Sequence, residues 1–258
     1  MVTIILPTKD EAESVRETIK RIQDIKDYRI VVVDGHSTDG TAEIAKEMGV
    51  EIIFDHGLGK GEALRTAFEY ADDDVIFTDV DLTYPLEKIP EIEEGLKDHD
   101  CVVGYRNSFK AHSVPKIFIL SDLFSRSMFL LLFHRKYDNL SGLRGLTKEA
   151  IRHLDLKEDG FGIETEMTAK SVYENLSVLN IPISYAPRLG KSKFNPLKDG
   201  LVVLLSQFKY YLLFKVLYFR RMLGLGGREL YRDKKNMANC PGIFRNLADL
   251  FGEYRQYF

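Results

Sequence analysis

Apolar runs and amphipathic stretches alternate along residues 3–104. Residues 3–6 are apolar and closed by Pro7, the pattern of a short buried strand, and residues 10–25 place Val15, Ile19 and Ile22 on one helical stripe. Residues 29–34 hold the run Ile-Val-Val-Val, as in a strand covered on both faces. Residues 38–48 predict a helix with Ser37 or Thr38 as its cap. The same alternation predicts strands over residues 51–55, 74–79 and 101–104, and helices over residues 62–71 and 86–97. Strands alternating with helices imply right-handed crossovers, so the fold class is α/β with a mostly parallel sheet and flanking helices. In such sheets ligands bind beyond the carboxyl ends of the strands. Five polar loops fall there: residues 8–11, 34–39, 56–61 and 79–81, and the pair Tyr105-Arg106. Their convergence on one edge predicts a site.

After Arg106 the pattern changes. Residues 117–133 are apolar and aromatic, broken by Ser121, Asp122, Ser125, Arg126 and Ser127. Residues 201–219 are apolar but carry Gln207, Lys209 and Lys215, and they lead into Arg220-Arg221. That second stretch approaches the roughly 20 apolar residues of a membrane span. Central lysines, however, cost roughly 2.5–3.5 kcal/mol each on insertion. An amphipathic helix in the membrane interface fits better, with Lys209, Lys215, Arg220 and Arg221 toward anionic headgroups. Residues 117–133 are a second candidate, and core or dimer helices are the competing reading for both. The expected division is an α/β domain over residues 1–195 and an amphipathic helical, membrane-associated tail over residues 196–258.

Composition narrows the partners. A net charge of -3 lacks the basic excess of a phosphate-tracking surface, which argues against nucleic acid. Cys101 and Cys240 match no metal-ligand spacing, and a reduced chain is expected. The first residues show no basic region followed by a long apolar stretch, so no secretory signal is expected there. The expected location is the cytoplasmic face of a membrane, bound peripherally.

The sharpest chemical feature is Asp79-Val80-Asp81 at the end of the fourth predicted strand. Alternating side chains put both carboxylates on one side. Such a pair suits a hard divalent cation whose remaining ligands are water and substrate phosphate; a solvated acidic strand end is the plainer alternative. Asp34, at the end of the second strand, is placed to accept hydrogen bonds from a ribose or a base. No G-x-G-x-x-G turn follows the first strand, which counts against a dinucleotide cofactor. The loop Gly57-Leu58-Gly59-Lys60-Gly61 lets backbone approach a ligand closely, but it is not a P-loop, because no Ser or Thr follows Lys60. Glu164 and Glu166 offer two further carboxylates, with helix-surface charge as the competing explanation.

Taken in order, Pro7-Thr8 with Glu11, residues 33–41, Gly59-Lys60-Gly61 and Asp79-Val80-Asp81 resemble the GT-A fold of family 2 glycosyltransferases, over roughly residues 1–193. The resemblance implies that Pro7, Thr8, Glu11 and Asp34 hold the base and ribose of a nucleotide-sugar, with Lys60 among the donor-binding residues. It implies that Asp79 and Asp81 meet the donor diphosphate and its Mg²⁺ or Mn²⁺. Many members have two acids in the second loop; here the second is Gly35, so base specificity is not implied.

Residues 81–85, 103–106, 138–144 and 188–193 are similar to the branch that makes polyprenyl-phosphate sugars, dolichyl-phosphate mannose synthases among them. By that resemblance Arg106, Ser141, Arg188 and Lys193 lie near the acceptor phosphate or donor diphosphate; related transferases with hydroxyl acceptors use an acid in the later region as general base, which makes Glu164 or Glu166 a candidate. The charge logic agrees, because a phosphate acceptor meeting a diphosphate donor needs cations between two anions. The implied reaction is inverting transfer of a sugar, mannose or glucose, from GDP-mannose or a UDP-hexose to a polyprenyl phosphate. Rival readings are the same fold with a soluble phosphorylated or sugar acceptor, a nucleotidyltransferase, and a non-catalytic membrane-bound scaffold. The nucleotidyltransferase is disfavoured because residues 7–11 are not a glycine-rich loop.

Overall fold

The computed structural model describes residues 2–109, 114–190, 195 and 198–222, with the side chains of residues 221 and 222 left aside. Seven strands form one sheet: β1 (Val2–Thr8), β2 (Arg29–Asp34), β3 (Glu51–Phe54), β4 (Asp74–Phe77), β5 (Cys101–Phe109), β6 (Arg144–Leu146) and β7 (Val178–Tyr185). The order is β3-β2-β1-β4-β6-β5-β7. β1 to β4 are mutually parallel, β6 runs antiparallel between β4 and β5, and β7 pairs parallel with β5. The helices are α1 (Ala12–Ile25), α2 (Thr41–Glu47), α3 (Lys60–Tyr70), α4 (Ile89–Gly95), α5 (Lys116–Phe133), α6 (Lys148–Leu154), α7 (Ile163–Tyr173) and α8 (Lys198–Met222).

Successive residues of the central strands feed two cores, as the period of a strand requires. Ile4, Leu6, Ile30 and Val32 pack with Val15, Ile19 and Ile22 of α1 and with Ile89 and Ile92 of α4. Ile5, Val31 and Val33 pack on the other face with Leu64, Ala67 and Phe68 of α3 and with Ile163 and Met167 of α7. Coverage on both faces explains the unbroken apolar run of β2.

Among the boundaries that differ from the sequence pattern, three bear on the site edge. β4 ends at Phe77, so Asp79 and Asp81 lie in the loop beyond it rather than on the strand; Leu82 then turns the chain at φ 61°. α2 begins at Thr41 behind Gly40 (φ 93°), and neither Ser37 nor Thr38 caps it. Their hydroxyls bond across to Asp34 and Asp10 instead. β5 extends to Phe109, which puts Arg106 inside a strand.

α5 and α8 bury polar residues among apolar ones and leave other large apolar residues exposed. On α5 the buried residues include Asp122, Ser125 and Arg126, while Ile117, Leu120, Phe124 and Leu131 are exposed. α8 packs against α5 and α7 through Val203, Ser206, Gln207 and Tyr210. Gln207 Nε2 donates to Ser125 Oγ at 2.8 Å, and Phe214 stacks on Tyr173 at 4.3 Å. Outward from α8 point Leu201, Leu205, Leu212, Val216 and Phe219. Lys209 departs from the expected orientation toward headgroups: its ammonium reaches back to Glu158 at 2.6 Å. Residues 198–220 are long and apolar enough to cross a membrane by length and composition, at mean hydropathy 1.4.

The start of α3 is pressed onto the loop before α7. The backbone N–H groups of Gly61 and Glu62 donate to the Asp159 carbonyl at 2.7 and 3.0 Å, and Arg65 holds Asp159 at 2.6 Å. A Cβ on Gly61 would collide with the Glu158 carbonyl, and one on Gly59 would come within 2.9 Å of the Asp159 carbonyl. These glycines therefore admit a neighbouring segment of chain rather than a ligand. Gly61→Ala is expected to destabilise the protein by about 2 kcal/mol, the scale of an overpacked site. An unchanged midpoint in denaturant would show that the loop yields freely.

Candidate active site

The donor side begins with Asp34, fully buried at the end of β2. Thr8 Oγ1 donates to its Oδ2 at 3.0 Å, and the backbone N–H and hydroxyl of Ser37 donate to it at 2.7 Å each. The first two loops are sewn together around it. The backbone N–H groups of Asp10, Glu11 and Ala12 donate to Ser37 Oγ, Thr41 Oγ1 and Asp39 Oδ2 at 2.8, 2.8 and 2.9 Å. Lys9 Nζ donates to the carbonyls of Gly35 and His36 at 2.9 and 2.6 Å. Pro7 continues β1 beside Val33. A side chain at Gly35 would stand 3.3 Å from the Thr8 carbonyl and 3.4 Å from Asp55 Oδ2. A second acid in this loop would need the Thr8 carbonyl to give by a few tenths of an ångström and would stand beside the Asp55 carboxylate.

The acidic centre follows β4. Asp81 is buried; its Oδ1 accepts from the Thr83 hydroxyl at 2.6 Å and its Oδ2 from Arg188 at 2.8 Å. Arg188 also holds Glu11, so it bridges the first loop to the acid motif. Its Nε is buried without a hydrogen-bond partner among the described residues. Asp79 Oδ1 lies 2.6 Å from Lys60 Nζ, whose other partner is Glu164 Oε1, also at 2.6 Å. Burial acts to lower the Lys60 pKa, but the two carboxylates outweigh it and the net shift is upward. Burial first, and then the charge of Asp79, raise the Asp81 pKa. A Cβ on Gly142 would fall 2.5 Å from Asp79 Oδ2, and the Gly142 N–H donates to the buried Tyr84 hydroxyl at 2.7 Å. Backbone thus walls in Asp79 from one side.

Two like-charged carboxylates with hard oxygen donors suit Mg²⁺ or Mn²⁺, which would relieve the repulsion that raises the Asp81 pKa. No cluster of three or more metal-ligating side chains occurs among the described residues. An ion held by Asp79 and Asp81 would draw its remaining ligands from water and phosphate.

The remaining expected residues fall into two groups. Glu164 joins the centre through Lys60. Glu166 does not: it is fully buried, accepts the Lys157 and Glu158 backbone N–H groups at 2.9 and 2.7 Å, and pairs with Lys170 at 2.7 Å. Arg106 is held in a buried group of four charges. It meets Asp138 at 2.7 Å and Asp122 at 2.6 Å, while Arg126 meets the same acids at 2.8 and 3.0 Å. Burial acts to lower the Arg106 pKa, and Asp122 and Asp138 push it well above the ordinary range. Ser141 is buried, its hydroxyl donating to the Leu143 carbonyl at 3.4 Å. Lys193 lies outside the described residues. Sequence reading missed Tyr84, Asp122, Arg126 and Asp138. For Asp122, Ser125 and Arg126 a signal existed, since polar residues spaced by three and four in an apolar helix share one face.

Comparison with known proteins defines the class. Glucosyl-3-phosphoglycerate synthase from Mycobacterium tuberculosis, solved with Mn²⁺, UDP and glucosyl-3-phosphoglycerate, superposes with a TM-score of 0.65 at 18% identity, covering 81% of this chain and 79% of that one. The fold is therefore GT-A-like. The model of the family described as glycosyl transferase family 2 matches residues 3–155. Glycosyltransferase AglJ of Haloferax volcanii is 31% identical over 215 residues, 81% of this chain and 71% of that relative. The dolichyl-phosphate hexose transferase of the same organism is 28% identical over 205 residues, 78% and 89% of the two chains. The dolichol-phosphate mannosyltransferase of Pyrococcus furiosus is 31% identical over 208 residues, 74% of this chain and 58% of that relative. The protein belongs to glycosyl transferase family 2.

One titration at the site edge is testable. His56 Nδ1 lies 2.7 Å from Glu62 Oε1, and that bond, followed by the carboxylate's charge, raises the His56 pKa. Burial pushes Glu62 up, but His56 and Thr66 outweigh it and bring it to about 2. A raised folded-state pKa means the pair stabilises the fold while His56 is protonated and stops doing so as pH rises through that pKa. The NMR titration midpoint of His56 is expected above the ordinary imidazole range and to return to it in Glu62→Gln. An unshifted wild-type midpoint contradicts the pair.

Proposed function

We propose that the protein is a metal-dependent, inverting hexosyltransferase that moves mannose or glucose from GDP-mannose or a UDP-hexose to a polyprenyl phosphate at a membrane surface. The observation that carries the acceptor assignment is the exposed apolar stripe on α5 and α8, where Ile117, Leu120, Phe124, Leu201, Leu205 and Leu212 face outward. Large outward apolar patches mark contact with a membrane or partner. The dolichyl-phosphate relatives favour the membrane. α8 also reaches the site, because Lys209 and Tyr210 hold Glu158, whose carbonyl receives Arg65 beside the Lys60 loop.

In this reading Thr8 and Asp34 bind the nucleoside, and Asp79 and Asp81 face the diphosphate. Mg²⁺ or Mn²⁺ bound there would neutralise charge on the departing nucleoside diphosphate. Arg188, with its unpartnered Nε, offers a donor to a phosphate oxygen. An oxygen of the lipid phosphate attacks the anomeric carbon from the face opposite the leaving diphosphate. That C–O bond forms as the bond to the diphosphate breaks, and the configuration inverts. The acceptor needs little help from a base, since a phosphate monoester, with a second pKa of about 6, is largely dianionic at neutral pH. Glu164 accordingly serves to hold Lys60. Residues 196–258 are read as the membrane-associated part, peripheral on the cytoplasmic face.

Purified protein given polyprenyl phosphate, Mn²⁺ and labelled GDP-mannose, UDP-glucose or UDP-N-acetylglucosamine in turn is expected to put label into the organic phase with one donor. Asp81→Asn should lower that rate roughly 100-fold or more, the scale of losing transition-state charge stabilisation, with unchanged circular dichroism. Full activity in chelator would remove the metal from the reading. Nucleoside diphosphate released only with soluble phosphorylated acceptors would remove the lipid.

The outward face has its own test. Leu205→Asp with Leu212→Asp is expected to abolish flotation with anionic liposomes while the protein stays folded. Retained flotation would move the contact elsewhere.

A further inference from the structure

Lys60 stands where a divalent cation would act. Its ammonium occupies Asp79 Oδ1 at 2.6 Å and is itself only 14% exposed. Both partners are held from behind. Gly142 backbone walls in Asp79, and the Gly59–Gly61 turn that carries Lys60 is wedged against the carbonyls of Glu158 and Asp159. The neighbouring acid, Asp81, carries the Arg188 guanidinium in the same way. Each acid of the motif therefore already has a resident counter-charge.

A divalent cation entering this centre alone would meet an ammonium within a few ångströms, and like charges at that range in a poorly solvated site repel strongly. A nucleoside diphosphate changes the balance, because its phosphate oxygens offer Lys60 and Arg188 new partners while the cation takes the carboxylates. Glu164 keeps Lys60 in place during the exchange, so the ammonium moves between acids without leaving the site. Resting on the transferase reading above, we infer that Lys60 is an internal counter-ion that excludes the free divalent cation and makes metal binding conditional on the donor's diphosphate. The consequence is a site that does not fill with metal before donor, and positive linkage between the two ligands.

The readout is binding, with no turnover. Mn²⁺ binding is followed by the loss of the free-ion paramagnetic resonance signal, with and without GDP and UDP. Wild type should bind Mn²⁺ weakly alone and tightly with the nucleotide it recognises. Lys60→Met should bind Mn²⁺ alone about ten-fold tighter or more, with the nucleotide's enhancement reduced by a similar factor. Glu164→Gln, which leaves Asp79 as the only acid of Lys60 and keeps the side-chain shape, should shift Mn²⁺ binding the opposite way and also reports if Lys60→Met fails to fold. Asp81→Asn serves as the control for binding at this centre. Lys60→Met with unchanged or weaker Mn²⁺ affinity, while wild type binds Mn²⁺ through Asp81, overturns the inference and leaves the transferase reading standing. Nucleotide binding with no Mn²⁺ uptake by any variant removes the metal from that reading, and the inference with it.

Discussion

Lys60 is buried between carboxylates contributed by the loop after β4 and by α7, two segments that no hydrogen-bonded ladder joins directly. Breaking a buried pair by deleting one member leaves an uncompensated charge, at a cost of about 3–5 kcal/mol. The loops must therefore stay where the charges cancel. Arg188 imposes the same condition on Glu11 and Asp81, and the pairs of Arg106 and Arg126 with Asp122 and Asp138 impose it on β5, α5 and the loop before β6. Regular structure brings the loops after β1, β2, β3 and β4 to one edge. Charge neutrality then decides how they sit there.

This division of labour explains what could be read from the sequence. The central strands and helices were readable because their apolar periods report directly on burial, as Val15, Ile19 and Ile22 show. The order of Thr8, Glu11, Asp34, Asp79 and Asp81 was readable because the loops follow the strands. Which partner each loop residue takes was not. Asp39 bonds Thr41 at the helix start, but it also receives the Ala12 N–H. Glu166 and Glu164 looked alike on one helix, yet a two-residue step, about half a turn, sends Glu166 to the backbone N–H groups of residues 157–158 and Glu164 to Lys60. Long-range pairing leaves no periodic trace in a single sequence.

The glycine-rich turn shows how a familiar signal can have an unfamiliar cause. Its glycines suggested close approach to a ligand, and the close approach is real, but the visitor is the backbone of residues 158–159. That contact fixes the first residue of α3, and so fixes the root of the Lys60 side chain. Flexibility at the turn is exchanged for a rigid anchor under the charged centre.

α8 meets two different demands along its two sides. Inward, Ser206, Gln207 and Tyr210 must match particular atoms on α5 and the loop at Glu158. Outward, Leu201, Leu205, Leu212 and Phe219 are exposed and meet no partner among the described residues that reads their shape. A population of descendants could therefore exchange Leu, Ile, Phe and Val freely on the outer stripe so long as its oiliness persisted. The inner stripe would tolerate almost no exchange. Mutational drift along this one helix should thus be fast on one side and nearly frozen on the other.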